Sequence, residues 1–293
     1  MTRLSATRKL TLSLALAAAL AAPLAAHAHR AWLLPSGTVF SGDEPWVTVD
    51  AAVSNDIFFA DHNAGSLDGL VVIGPDGKPV QAANAAKGRY RSVFDVKLAQ
   101  PGTYRIALVS EGLMASYKVG NESKRVRGSK AEVAKAIPAN ATEVRVTQAA
   151  NRIETFVTAG KPTTDNLKPT GSGIELVPVT HPNDLVAGEA ATFRFVDGGK
   201  PAAGYNVIAI LEGKRYRSEL GEMTLKTDAN GEVSIKWPAA GKYWLNVTPP
   251  RPAGAGEGPG AGGPGMAQPG PAGTLDAPAR RSNYSLTLEV LPS

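Results

Sequence analysis

From residue 29 onward the chain is cut into short stretches of alternating apolar and polar residues by Gly, Pro, Asn and Asp, and this punctuation limits it to strands joined by turns. Trp46-Val47-Thr48-Val49-Asp50-Ala51 alternates with period two. Leu70-Val71-Val72-Ile73 stops at Gly74-Pro75-Asp76-Gly77, a strong turn signal. Tyr90 to Leu98 alternates again, and Thr103 to Leu108 follows Pro101-Gly102. Lys124 to Ala136 is charged and rich in helix formers, which predicts a short helix or loop; Glu143 to Val146 and Ile153 to Thr158 read as two strands. Residues 160–173 hold Gly, Pro and Ser with little apolar content and read as a linker.

A second strand-rich block starts at Ile174-Glu175-Leu176-Val177. It continues through Ala191 to Val196, Tyr205 to Leu211, Thr224 to Thr227, Val233 to Trp237, Gly241 to Val247 and Tyr284 to Leu291. The spacing predicts an all-β chain of two immunoglobulin-like β-sandwich domains in tandem. Their bounds are 29–159 and 174–293. Residues 249–283 form a Pro/Gly/Ala-rich insert with too little apolar surface to offset ordering entropy, which predicts disorder inside one long hairpin connection. Pro101-Gly102-Thr103-Tyr104-Arg105-Ile106 echoes Ala240-Gly241-Lys242-Tyr243-Trp244-Leu245. The echo marks either two related domains or a common way of opening a strand.

Residues 1–28 read as a cleavable export signal. Arg3, Arg8 and Lys9 precede an apolar run from Leu10 to Leu20, and Ala26-His27-Ala28 offers small residues at the −3 and −1 positions. The run is shorter than the ~20 residues of a membrane span. The reading implies a soluble protein in the periplasm. Removing this segment takes three basic and no acidic residues, so the net charge falls from +5 to +2. The remaining Lys and Arg are scattered apart from Lys124, Arg125, Arg127 and Lys130. A nucleic-acid binder needs a denser basic face, so nucleic acid is excluded as a partner. With no cysteine, no disulfide can form, and stability must come from core burial.

Three histidines remain after residue 28: His29, His62 and His181. Cleavage after Ala28 makes His29 the N-terminus, where its α-amine and Nδ1 can chelate one metal ion. A second imidazole would complete a three-nitrogen site suited to Cu(II) or Ni(II). His62 or His181 could supply it, and Asp56 or Asp61 could add an oxygen or orient a ring. Cleavage after Ala26 would instead leave His27-Ala28-His29, a sequence that can also hold these ions. The plain alternative is that a His before a turn Pro, as in His181-Pro182, only bonds to nearby backbone.

Other chemistries find little support. There is no Cys nucleophile, no Gly-x-Ser-x-Gly elbow, and no Gly-rich loop opening a helix. The acidic residues are dispersed, so no glycosidase pair stands out. Trp32, Trp46, Trp237 and Trp244 could stack sugars, but tryptophans in strands more often fill a core. No catalytic residue is assigned.

His29-Arg30-Ala31-Trp32-Leu33-Leu34-Pro35-Ser36 resembles the opening of a family of bacterial periplasmic proteins of unassigned function, often labelled a nickel-uptake (cobalt/nickel transport) periplasmic domain. Glu154 to Pro162 and Gly173 to Leu185, with Gly188-Glu189, are similar to further motifs of that family. The resemblance implies transition-metal uptake beside a membrane transporter or outer-membrane receptor, with His29 and His181 as the positions to examine first. The insert at 249–283 departs from the pattern. The expectation is therefore a noncatalytic periplasmic protein that binds nickel or copper. Its competitors are an interaction module without metal and a copper-dependent oxidase built on the same N-terminal His.

Overall fold

The computed structural model describes residues 29–250 and 273–293. The export-signal reading of 1–28 and most of the 249–283 insert lie outside the described residues. In chain order the strands are β1 (Arg30–Pro35), β2 (Val39–Phe40), β3 (Trp46–Ser54), β4 (Asn63–Ala64), β5 (Leu70–Ile73), β6 (Ala83–Lys87), β7 (Ser92–Lys97), β8 (Gly102–Val119) and β9 (Glu122–Gly128). Helix α1 (Lys130–Ala136) follows. Then come β10 (Thr142–Ala159), β11 (Ile174–Pro178), β12 (Ala190–Asp197), β13 (Lys200–Pro201), β14 (Asn206–Leu211), β15 (Met223–Lys226), β16 (Glu232–Lys236), β17 (Gly241–Thr248) and β18 (Ala279–Val290).

These strands form three sheets. The first has the order β1-β3-β7-β6, with β4 on β3. The second runs β15-β14-β17-β18-β10-β8-β5, with β2 on β10 and β9 on β8. The third is β11-β12-β13, with β16 on β12. The chain is all-β, and its two sandwiches share the nine-stranded sheet. Leu33, Val47, Val49, Phe94 and Val96 of the first sheet pack on Val72, Tyr104, Ile106 and Val157. Ile174, Phe193, Phe195 and Ile235 of the third pack on Val207, Leu245, Tyr284 and Leu286. The join is a parallel pairing of β10 with β18, from Thr147↔Ala279 to Thr155↔Thr287.

Strands β1, β2, β4, β6 and β13 are not marked by the sequence pattern, and sequence and structure differ further at three places. Lys124 to Ala136 is neither one helix nor a loop. Its first part is β9, which satisfies its backbone on β8 from Leu113↔Gly128 to Val119↔Glu122. Only α1 is helical, started by a capping box in which Ser129 and Glu132 exchange side-chain-to-backbone bonds. Second, the two expected strands at 143–146 and 153–158 are one 18-residue strand, β10. Third, the low-complexity insert ends earlier than composition implies: β18 opens at Ala279 on the waiting edge of β10. An unpaired edge in a sheet supplies hydrogen bonds whatever the side chains are, so it overrides weak strand propensity.

Residues 160–173 pass between the sandwiches and are themselves packed. Leu167 enters the second core, and the Asn166 amide donates to Thr103 O (2.6 Å) and Gly74 O (3.0 Å). The echo pairs two like corners. Gly102 and Gly241 hold φ of 131° and 136°, and each opens a strand whose Tyr, at 104 and 243, is buried. Trp32, Trp237 and Trp244 are core residues, while Trp46 is half exposed. Among the described residues no helix is long and apolar enough to cross a membrane.

Candidate functional site

Strand β1 sends alternate residues to two cores, and this fixes the place of His29, the residue before it. Leu33 lies in the first sandwich. Trp32 points the other way, into a cluster with Ala52, Ile57, Ile210 and Trp244, where the back of the first sheet lies on β14 and β17. The Trp32 indole N–H donates to Ser54 Oγ (2.7 Å), and the Trp244 indole N–H donates to Ala31 O (3.0 Å). Both indoles are thus satisfied where they are buried. Arg30 is held at one side of this cluster: Nη1 donates to Asn55 O (3.1 Å), and its guanidinium sits 5.7 Å above the Trp244 ring. Burial pulls this guanidinium below its ordinary pKa, while Glu222 and Asp56 pull it back up.

The loop after β3 folds back over this end of the sheet. Asp61 closes it, accepting from the Asn55 backbone N–H (2.9 Å) and side-chain amide (3.4 Å). Phe58 adopts φ = 58°, a left-handed conformation that a bulky side chain rarely takes, and its ring meets Trp32 edge-on at 5.7 Å. Such strain persists only where neighbouring contacts over-determine it, and it clusters at functional sites. The far side of the loop is tied to a 3-10 turn at Lys214–Tyr216. Lys214 pairs with Asp56 at 3.4 Å, and Arg215 lies 3.8 Å over the Phe59 ring.

The outcome of this closure is that His62 lies against His29. Their rings stack with centroids 3.7 Å apart and planes at 12°. His29 is half-buried and His62 exposed. The three candidate histidines do not converge. Among the described residues no group of three or more His, Asp or Glu is placed to hold a metal ion.

His181 is engaged in a polar network at the start of β8. Its Nδ1 accepts from the Asn183 backbone N–H (3.1 Å), which assigns the ring proton to Nε2, within reach of Thr163 O (3.2 Å) and Thr103 Oγ1 (3.0 Å). Thr103 and Thr158 share a hydroxyl contact of 2.9 Å, Thr158 donates to Asn183 Oδ1, and Asn183 donates to Phe156 O. Burial lowers the His181 pKa, against the backbone bond to Thr163 and the charge of Asp184. With both nitrogens engaged, this imidazole has no lone pair to offer without breaking the network.

Sequence reading passed over a second cluster. Arg105, Arg152, Glu154, Glu175 and Tyr284 are all buried where β8, β10, β11 and β18 meet. Arg105 and Arg152 bond Glu154 and reach Glu175, and the Tyr284 hydroxyl donates to Glu154 Oε2. Burial, the Glu154 charge and that hydrogen bond push the Tyr284 phenol well above its ordinary value. The signal was present in sequence as charged residues inside otherwise apolar strands, Arg105 in TYRIAL and Glu175 in GIELV. The cluster is fully internal and links the two halves.

Comparisons with known proteins give a family and no activity. Among solved structures the chain is similar to a DUF4785 family protein from Legionella pneumophila subsp. pneumophila str. Philadelphia 1, at 9% identity over 74% of this chain and 50% of that chain, with a TM-score of 0.22. It is also similar to the D0-D1 domain of intimin (13% identity, 88% and 97% covered, TM-score 0.21) and to the human OSCAR ligand-binding domain (14%, 77% and 93%, 0.19). The chain spans half the length of the Legionella chain it matches. A search of curated proteins finds no match. One family model matches residues 26–249, and its description names neither a metal nor a reaction. The chain belongs to the family defined by the domain of unknown function DUF4198.

Proposed function

We propose that the chain is a periplasmic protein that holds a divalent transition metal, copper(II) or nickel(II), and supports its uptake or delivery to a membrane transporter or outer-membrane receptor. The ligands are the imidazoles of His29 and His62 and the α-amine of His29, freed when the export signal is cut after Ala28. One observation carries the reading: residues 33 positions apart in sequence have their rings stacked at 3.7 Å. Two of its three nitrogens come from side chains; the third belongs to the main chain and exists only after cleavage.

Stacked rings are close enough to share an ion but are not yet aimed at one. Lone pairs lie in the ring planes, so parallel planes send them along parallel lines. One ring must turn about its side-chain torsions to converge, and the exposed His62 is free to do so. The donor set is all nitrogen, which suits Cu(II) and Ni(II) in tetragonal geometry, with Cu(II) the tighter of the two. His181 is left out of the ligand set because its nitrogens are engaged elsewhere.

Isothermal titration and electron paramagnetic resonance of the chain beginning at His29 test this. Tight Cu(II) binding with three nitrogen ligands is expected. An added residue before His29, or His62→Ala, weakens it at least tenfold, and His181→Ala leaves it within about twofold. Equal affinity in all four proteins would sink the site. That result would leave the second reading, a metal-free interaction module, which is favoured by the exposed Phe59 and Tyr216 on the same loop cluster.

A further inference from the structure

Beyond the cores, β8 runs on to Val119 and forms a three-stranded projection with β9 and β10. One face of it is covered. Leu113, Ala115 and Val146 pack against Val133 of α1, with Val126, Ile137 and Leu275 at the margin. The other face follows from the register. Ser116 stands opposite Arg125 on one side and Arg145 on the other, and Met114 stands opposite Arg127 and Thr147. Residues directly opposite share a face. Arg125, Arg127 and Arg145 therefore point the same way, and all three are exposed.

None of these arginines has an ion-pair partner among the described residues. Glu143 is engaged by Lys118 (2.7 Å), and Glu122 pairs with Lys124 (3.6 Å). The charge of the chain is concentrated here as well. Lys118 to Arg145 holds seven basic and three acidic residues, a net of +4, whereas residues 29–293 together net only +2. The rest of that stretch is thus net −2.

We propose that this arginine face docks the protein on an anionic phospholipid surface. Arg125 and Arg145 are two strands apart, about 10 Å, and Arg125 and Arg127 are about 7 Å apart along β9. That spread suits several headgroups at once and is too wide for one small anion. Guanidinium groups pair bidentately with phosphate oxygens. A protein partner fits less well, because protein interfaces are built round a desolvated apolar or aromatic centre, and among the described residues this face has no aromatic side chain, its Met114 being half-buried.

Vesicle co-sedimentation of the purified chain tests the proposal, with phosphatidylcholine vesicles carrying or lacking phosphatidylglycerol. Binding only to the anionic vesicles, weakened by salt, is expected. Each arginine removed should weaken it about fivefold, and the exposed triple variant Arg125→Ser, Arg127→Ser, Arg145→Ser about a hundredfold. Its melting temperature should match the parent's, which separates lost binding from lost folding. A parent that ignores anionic vesicles, or a folded triple variant that binds them as well as the parent, overturns the proposal. Capture of an acidic protein without vesicle binding would do so too. His62→Ala should leave vesicle binding unchanged, so the outcome is separate from that for the metal.

Discussion

The hydroxyls of Tyr104 and Tyr243 make the same pair of bonds, each to the backbone of the residue four positions earlier. Tyr104 Oη accepts from Gln100 N–H (2.8 Å) and donates to Gln100 O (3.0 Å); Tyr243 Oη does the same with Ala239 (3.3 and 2.8 Å). Each pins the turn that opens a central strand, one per sandwich, in the manner of the tyrosine corner of immunoglobulin-like domains. Tyr104→Phe and Tyr243→Phe should each cost about 1–3 kcal/mol, because the turn's N–H and C=O are then left unpaired. Urea denaturation of the two variants and the double variant measures this, with near-additive losses expected for corners in separate cores.

Glu154 is fully buried and accepts from Arg105, Arg152 and Tyr284. Glu154→Ala leaves two buried guanidinium groups to share the single carboxylate of Glu175 and should destabilise by about 3–5 kcal/mol. Tyr284→Phe removes one hydrogen bond and no charge, and should cost about 1–2 kcal/mol. A reversed order of these losses in chemical denaturation would show that the buried charges are compensated from elsewhere.

Acid should loosen the structure in two steps. Burial lowers the His181 pKa, so below its ordinary value of 6.5 the unfolded chain takes up a proton that the folded chain resists. Stability therefore falls as pH drops through that value and on toward the lowered one. For Glu175, burial alone would raise the carboxyl. The Thr170 backbone and hydroxyl bonds, the Arg152 charge and the Gly171 N–H together hold it below its ordinary 4.5. Its contribution is present above 4.5 and is lost at lower pH, as the folded carboxyl is protonated. Melting temperature against pH should show both slopes, and His181→Gln should flatten only the upper one.

The Asp61 carboxylate ties the loop that brings His62 to His29 through its bonds to Asn55. Asp61→Ala should weaken copper binding about tenfold without removing a ligand. Titration calorimetry with Cu(II) reads this, and an unchanged affinity would show that the loop needs no such tie. Because imidazole binds a metal only as the neutral ring, acid should also release copper from the parent.

Much of the fold was legible because turns and alternation are local. Leu70 to Ile73 is a strand over the very residues that the Gly-Pro-Asp-Gly turn implied, and the strands expected in the second block lie within a residue or two of their expected ends, apart from β18; the short β13 was not expected. The errors have two sources. β18 begins within a Gly/Pro-rich stretch because it meets the edge of β10, built by distant sequence, whereas Arg125 and Arg127 lie in a strand because a tight turn at Gly120-Asn121 folds their charged segment back on β8.

The candidate site divides in the same way. The sequence by itself settled that the chain is built from strands without disulfides, and it singled out the few imidazoles. Only the tertiary structure decided that His62 meets His29 while His181 is consumed by Thr103, Thr163 and Asn183. The reason is physical: side-chain alternation and turn chemistry act over a few residues, whereas the meeting of two rings depends on how a closed loop and two shared cores place strands far apart in the chain.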